Sequence, residues 1–246
     1  MAKSSSPLDA ASDLLKNYAR GDREFQRINL TGAVLIGAQL AGANLADADL
    51  SKAAMNGSIL NLANLREANL IGATLSGSHL SKAKLDKAYL IGATLSKTIL
   101  NGAQLNGAIM SKAIAIEADA IGAVANDVVA MGAYFIGANL VGADFTSADL
   151  RGAYFIGANL VSLTAIAADM RGTTLMEANL NQANLSGALL NRAFLVDADL
   201  RGANLVGADL TDTICQGAYY DDGTRFDDDF DPVAAQMRKV ELLAAT

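Results

Sequence analysis

Residues 132–141 read GAYFIGANLV, and residues 152–161 read GAYFIGANLV again. Residues 71–76, IGATLS, return in the same way at 91–96, so both duplications are spaced by 20. Within each copy a shorter period of five is present: Phe135, Leu140, Phe155 and Leu160 share one phase. Followed outward, that phase runs without a slip from Phe25 to Tyr220. Its forty positions hold 26 Leu, 4 Phe and 3 Met. Ala stands two residues before the phase in 31 cases, as in Ala43-Asn44-Leu45, and 20 of the 22 glycines stand two residues after it. A repeat this strict is an architecture and is read before any local propensity.

A period of five excludes the common structures. Five residues carry an α-helix roughly 140° past a full turn, so its leucines would form no stripe. In a straight strand an odd period sends successive leucines to opposite faces. Both objections vanish if the chain turns a corner every five residues. Ala and Leu, two apart, then point inward from one short extended piece. Gly two residues on supplies the positive φ that the second central position of a type II turn requires. Four pentads closing one 20-residue coil make a four-sided solenoid.

The pattern A-(D/N)-L-x-x over residues 25–220 resembles the pentapeptide-repeat family, in its cyanobacterial type. The resemblance implies an all-β solenoid, a right-handed quadrilateral β-helix. The expected organisation is residues 1–24 as an N-terminal segment with a short α-helical cap, 25–220 as about ten coils, and 221–246 as an acidic segment with a second helical cap. Coils pairing at about 4.8 Å give a rod of roughly 45–50 Å. The open ends of such a stack must be covered. At the start, Leu8, Leu14, Leu15 and Tyr18 form an apolar cluster on a helix over 8–20, with Gly21 to end it. At the other end Asp231-Pro232 reads as a helix start. Val233, Met237, Val240 and then Leu243 or Leu242 form its stripe, with Tyr219, Tyr220, Phe226 and Phe230 as a lid.

One irregularity stands out. Four successive central positions, Ala115, Ala120, Ala125 and Ala130, are alanine. Either the coil keeps its phase and larger rings nearby (Phe135, Phe145, Phe155) refill the space, or it bulges and turns Ile114, Val124 or Val129 inward.

The residues offer no catalytic set. His79, the only histidine, falls at an outward position, so neither a Cys-His nor a Ser-His-Asp arrangement can be assembled. The lone Cys215 sits in the inward phase and reads as a small hydrophobe. Asp227-x-Asp229-x-Asp231 opens like a calcium loop, but Pro232 and Arg238 replace the required Gly and Glu. No cofactor or metal is therefore expected, and the chain reads as no enzyme. The absence of a long apolar run and of a signal-peptide core leads us to expect a cytoplasmic protein with no membrane partner.

Charge is unevenly placed. Residues 25–112 carry 8 basic and 4 acidic side chains, whereas residues 113–220 carry 4 and 11. The basic half lacks interleaved aromatics, so no nucleic-acid partner is expected. Sorting outward positions by face gives the candidate site. On the face centred on 115, 135, 155, 175 and 195, Ile114, Tyr134, Tyr154 and Phe194 precede the centres. Ile116, Ile136, Ile156, Met176 and Val196 follow them. Toward the N-terminus the same face reads as small and polar, with Asn56, Thr74, Ser76, Thr94 and Ser96. A contiguous apolar strip is expected to be a protein-interaction surface, for an unidentified protein partner or for a second copy in a homodimer. The family resemblance implies two functional classes: a scaffold or regulator that binds proteins, or a mimic of double-stranded DNA that binds DNA gyrase and protects it from quinolones. Mimicry needs dense acidic rows, and residues 25–220 carry 15 acidic against 12 basic side chains, which favours the first class.

Overall fold

A computed structural model describes residues 7–241, and every step of the solenoid follows the five-residue phase. Parallel bridges join residues 20 apart, from Glu24 with Asn44 to Asp199 with Tyr219. Each coil therefore has four sides, and the central residue of each side points inward. Leu45, Leu65 and Leu85 stack on one wall of the core, all at most 2% exposed.

Hydrogen bonding explains why the pentad has this sequence. In the pentad centred on Leu45, the Leu45 N–H donates to the Asn64 carbonyl (2.7 Å) and the Asp47 N–H to the Arg66 carbonyl (2.9 Å) of the next coil. The Asn44 N–H donates back to the Arg23 carbonyl (2.7 Å), and the Ala48 N–H closes the turn onto Leu45 (3.1 Å). Four of five amides are thus satisfied by the backbone. In many pentads the fifth, on the residue after the centre, is taken by an Asn or Asp side chain two residues earlier, and in some, such as Ser76 on Asn56, by one 20 residues earlier. Thr31 donates to Asn29 Oδ1, Ser51 to Asp49 Oδ1 and Thr146 to Asp144 Oδ1, each at 3.0 Å. The motif's D/N is therefore the acceptor for the one amide that the ladder leaves over.

Each turn has its second central residue at positive φ, as at Gly142 (φ 63°), with a negative φ before it. The same conformation is forced on Leu62 (φ 62°) and Ala167 (φ 54°), which lack glycine's freedom.

The Ala-centred coil keeps its phase. Ala115, Ala120, Ala125 and Ala130 are all at most 5% exposed, while Ile114, Val124 and Val129 stay on the outside. Phe135 and Phe155 stack at 4.9 Å, Phe145 meets Phe135 edge-on at 6.1 Å, and the wholly apolar void left beside them is about 20 Å³. That is room for little more than one water, so the rings do the refilling. Elsewhere the exchange happens within one pentad: Val128 precedes Ala130 and Leu163 precedes Ala165, all buried.

Where Ala is replaced by a hydroxyl residue, the hydroxyl needs a partner. Ser78 and Thr98 both donate to the Leu75 carbonyl, at 2.6 and 3.0 Å. Ser58, fully buried in the same column, has none for its Oγ. Ser58→Ala is therefore expected to raise the unfolding free energy by about 1 kcal/mol, read from denaturant titration, since it removes a desolvated, unsatisfied hydroxyl. A loss of stability would mean that the hydroxyl is bonded after all.

The N-terminal cap is the helix α1, Pro7–Ala19. Ala10, Ala11 and Leu14 are buried on the first coil, and the Tyr18 hydroxyl donates to the Ala41 carbonyl (2.8 Å). Leu15, expected inside, is 36% exposed. The expected C-terminal helix does not form within residues 232–241. Asp231 does cap a turn, accepting from the amides of Val233 and Ala234 (2.9 and 3.2 Å), but Gln236 at φ 59° stops it. The chain then leaves as a strand, β2 (Arg238–Lys239), parallel to β1 (Tyr219–Tyr220). The reason is the open edge of the last coil: the Arg238 amide donates to Ala218 and the Val240 amide to Tyr220, satisfying backbone that a helix would leave bare. Val233 is 71% exposed and only Met237 of the expected stripe is buried; Leu242 and Leu243 lie outside the described residues. The aromatic lid is present, with Phe226 and Phe230 stacked at 4.8 Å.

Candidate functional site

All nine residues of the expected strip lie on one outer face, because stacking by 20 puts each above its predecessor. Ile114 bridges to Tyr134, Tyr134 to Tyr154, Tyr154 to Thr174, and Thr174 to Phe194. Tyr134 and Tyr154 stack in parallel, 4.9 Å apart and 3° from coplanar. Tyr134 (37%) and Phe194 (41%) are the most exposed members; the other seven, including Ile116, Ile136, Ile156, Met176 and Val196, are half-buried against one another. The strip is thus a continuous surface and not a set of isolated side chains. It also continues through Ile214, 45% exposed, in the last coil.

The far end of this face departs from the small, polar reading. In the first coil Val34 and Ile36 are 56% and 62% exposed, among the barest large hydrophobic side chains of the described residues. Their place on this face follows from the spacing of 20, since Val34 bridges to Ala54 and Ala54 to Thr74.

A feature that the sequence did not announce is a row of free donors. Along the strip the residue before each centre is Ile, Tyr, Thr or Phe, so the usual Asn/Asp acceptor is missing. Among the described residues the amides of Ile116, Ile136, Ile156, Met176 and Val196 donate to no protein acceptor. The face gives up its side-chain caps, each of the order of 1 kcal/mol, in exchange for apolar area. It presents apolar anchors with N–H donors along one edge.

Among the described residues free amides also occur on other faces, at Ile91, Ser111, Met131 and Ile166, but those faces spend most of their polar side chains internally. Asn139 donates to Asp119 (3.0 Å) and Asn44 to Glu24 (2.7 Å) in ladders along the rod. Arg151 and Arg171 hold Asp149 and Asp169 in two-point contacts, at 2.8 and 2.7 Å for the first pair and 2.8 and 2.6 Å for the second. Those arginine hydrogen bonds hold both carboxyls below the usual aspartate range. A carboxylate with a lowered folded-state pKa adds stability above the ordinary carboxylate pKa and loses it as pH falls through the folded value. Thermal midpoints are accordingly expected to stay level from neutral pH to about 5 and to fall below about 4, less steeply in Arg151→Gln/Arg171→Gln. The same acid profile in both proteins would show that these pairs carry no linkage.

No group of His, Cys, Asp or Glu among the described residues is arranged to hold a metal ion. Asp227 accepts the Gly207 amide (2.9 and 3.0 Å) and Asp231 caps its turn, so two of the three carboxylates of the loop-like triplet have backbone roles. His79 lies half-buried in the ladder between Ile59 and Ile99. Burial pushes the Cys215 thiol up to about 11. No helix of the described residues is long and apolar enough to cross a membrane.

A four-sided parallel coil stacked by 20 residues, with an apolar outer strip, defines a solenoid repeat module. The pentapeptide repeats family matches in eight copies over residues 24–61, 63–102, 88–124, 131–162, 153–192 and 178–217. The chain belongs to the pentapeptide-repeat family, and its solenoid is that family's right-handed quadrilateral β-helix. Among solved structures it is similar to HetL, a pentapeptide repeat protein involved in heterocyst differentiation regulation from the cyanobacterium Nostoc. The two are 32% identical, over 84% of this chain and 95% of HetL, with a TM-score of 0.52. It shares the fold of a trypsin-treated form of QnrB1, a plasmid-mediated fluoroquinolone resistance protein, at 19% identity over 83% of this chain and 92% of that one (TM-score 0.50). No curated protein sequence matches the chain.

Proposed function

We propose that this protein is a protein-interaction module, of a scaffold or regulatory kind, that acts through the apolar strip of its outer face. The observation that carries the reading is the stacked pair Tyr134–Tyr154 at the middle of a strip that has lost its Asn/Asp caps. Exposed apolar area costs roughly 25 cal/mol per Å² in water, and soluble chains seldom keep a contiguous patch without a use. Large rings lose little entropy on docking, which suits the tyrosines as anchors. The similarity to HetL, a protein involved in regulation, is consistent with this class. Mimicry of DNA is not favoured, since the carboxylates of Asp149, Asp169 and Asp199 are each neutralised by an arginine and form no free acidic row.

Tyr134→Ser/Tyr154→Ser tests the reading, since neither ring reaches the core. Affinity recovery of protein partners, together with self-association, is expected to fall at least tenfold while the thermal midpoint stays within a few degrees of wild type. Equal recovery and equal self-association would leave the strip without a role.

A further inference from the structure

We propose that the strip's occupant is a second copy of this chain, packed face to face with its rod parallel and in register; this rests on the strip's being a contact surface. Three observations carry it.

The first is period. Side chains on the strip repeat at the coil spacing of about 4.8 Å, whereas an α-helix has a pitch of about 5.4 Å and one side of an extended strand repeats at roughly 6.6–6.8 Å. A second copy, built from the same stacked coils, stays in step with Ile114, Tyr134, Tyr154, Thr174 and Phe194 over the whole strip, as a helix or a single strand along its length does not.

The second is charge at the corners. The two long edges of the strip are the turns entering and leaving this face. At the strip's first coil these carry Lys112 and Glu117, and four coils on they carry Arg192 and Asp197. At these two coils the cation lies on one edge and the anion on the other, although Lys97 stands one coil before Glu117 on its edge and Asp212 one coil after Arg192 on its edge. A twofold axis along the rod sets Lys112 against the second copy's Glu117 and Arg192 against its Asp197. A twofold axis across the rod, centred on the strip, sets Lys112 against Arg192 and Glu117 against Asp197. The first arrangement is complementary and the second repulsive on both edges. Glu117, Arg192 and Asp197 do have neighbours within the chain (Lys97 at 3.4 Å, Asp212 at 3.7 Å and Arg238 at 3.8 Å), but all are open surface pairs. Lys112 has no ion-pair partner among the described residues.

The third is access. Between those corners the second turn residue is Gly132, Gly152 or Gly172 on one side and Gly137 or Gly157 on the other, and Arg151 and Arg171 beside them are held by Asp149 and Asp169 of the adjoining face. Glu177 is the exception. The free amides run along the edge, where water reaches them. Parallel packing also sets Val34 of the first coil, 56% exposed, against its own equivalent in the second copy.

The face is about 10 Å wide, three extended residues, and roughly 45–50 Å long, which places the contact in the small, concentration-dependent class. Association is expected in the tens of micromolar.

Thr74 and Thr174 lie at the middle of this face, five coils apart, so each faces its equivalent only if the rods are parallel and in register. Thr74→Cys and Thr174→Cys, separately in the full chain at about 50 µM, are each expected to give a covalent dimer with a short bismaleimide. Wild type, whose only thiol is the buried Cys215 (3% exposed), is expected to give none. Glu117→Lys and Lys112→Glu are each expected to reduce the yield severalfold, and their equimolar mixture to restore it. Cross-linking at Thr174→Cys without Thr74→Cys overturns the parallel register. A monomer by sedimentation at 100 µM overturns the second copy. In either case, a loss of partner recovery in Tyr134→Ser/Tyr154→Ser would still support the contact surface itself.

Discussion

Leu70→Ala is expected to lower the unfolding free energy by about 2–5 kcal/mol, without altering the coils far from it. Leu70 is fully buried, in a column with Leu50 below and Leu90 above, which are at most 1% exposed. Its backbone is fixed on both sides, by the Leu70 amide on the Tyr89 carbonyl (2.7 Å) and the Asn69 amide on the Ala48 carbonyl (2.9 Å). The wall therefore cannot collapse inward, and the deleted side chain leaves a void that no ring is placed to fill. In a stack where each coil touches only its neighbours, the loss falls on two interfaces at once and lowers the cooperativity of the whole rod. Denaturant titration measures it. A cost below about 1 kcal/mol would mean that the inward leucines are not packed as a continuous column.

The second large effect tests compensation inside one pentad. Leu163 and Ala165 reverse the usual order of small and large, and both point into the core at no more than 1% exposure. Leu163→Ala leaves two alanines on that side and is expected to cost about 2–5 kcal/mol. Ala165→Leu alone crowds the site and is expected to cost about 1–3 kcal/mol. The double variant recreates the ordinary Ala-x-Leu pentad, as in Ala143-Asp144-Phe145 below and Ala183-Asn184-Leu185 above. It is expected to regain at least half of the summed loss, a coupling that a double-mutant cycle isolates. Additive losses would show that the two positions do not share one volume.

These expectations trace which parts of the molecule the sequence discloses. The solenoid is legible because it is local: Leu, Ala and Gly recur at offsets fixed by one pentad, and the 20-residue duplications count its sides. The strip is legible for a related reason, since residues that differ by 20 must share a face once the coil has four sides. Val34 and Ile36 follow from the same arithmetic and lie on the same face, beyond the small, polar coils of Thr74 and Thr94. The Ala-centred coil could not be decided from sequence, because a thinned core and a bulge use the same residues and differ only in how Phe135, Phe145 and Phe155 pack. The C-terminal cap is not legible in the sequence, for a non-local reason. Asp231-Pro232 does start a turn, but whether it continues as a helix is decided by the bare edge at Tyr219–Tyr220, which β2 covers. The row of free amides was also hidden, since it depends on which acceptors are absent after every other hydrogen bond is made.

The stacked rings of Tyr134 and Tyr154 bear on the central claim, that one face of the rod makes the contact and the other three do not. Sedimentation velocity of three proteins at about 50 µM tests it most directly: wild type, Tyr134→Ser/Tyr154→Ser, and a control altered on a different face, Ile166→Ser/Val206→Ser, whose side chains are 37% and 38% exposed. Wild type and control are expected to associate alike, and the tyrosine variant to sediment as a folded monomer. A tyrosine variant that associates as wild type does, or a control that loses association equally, would contradict the account.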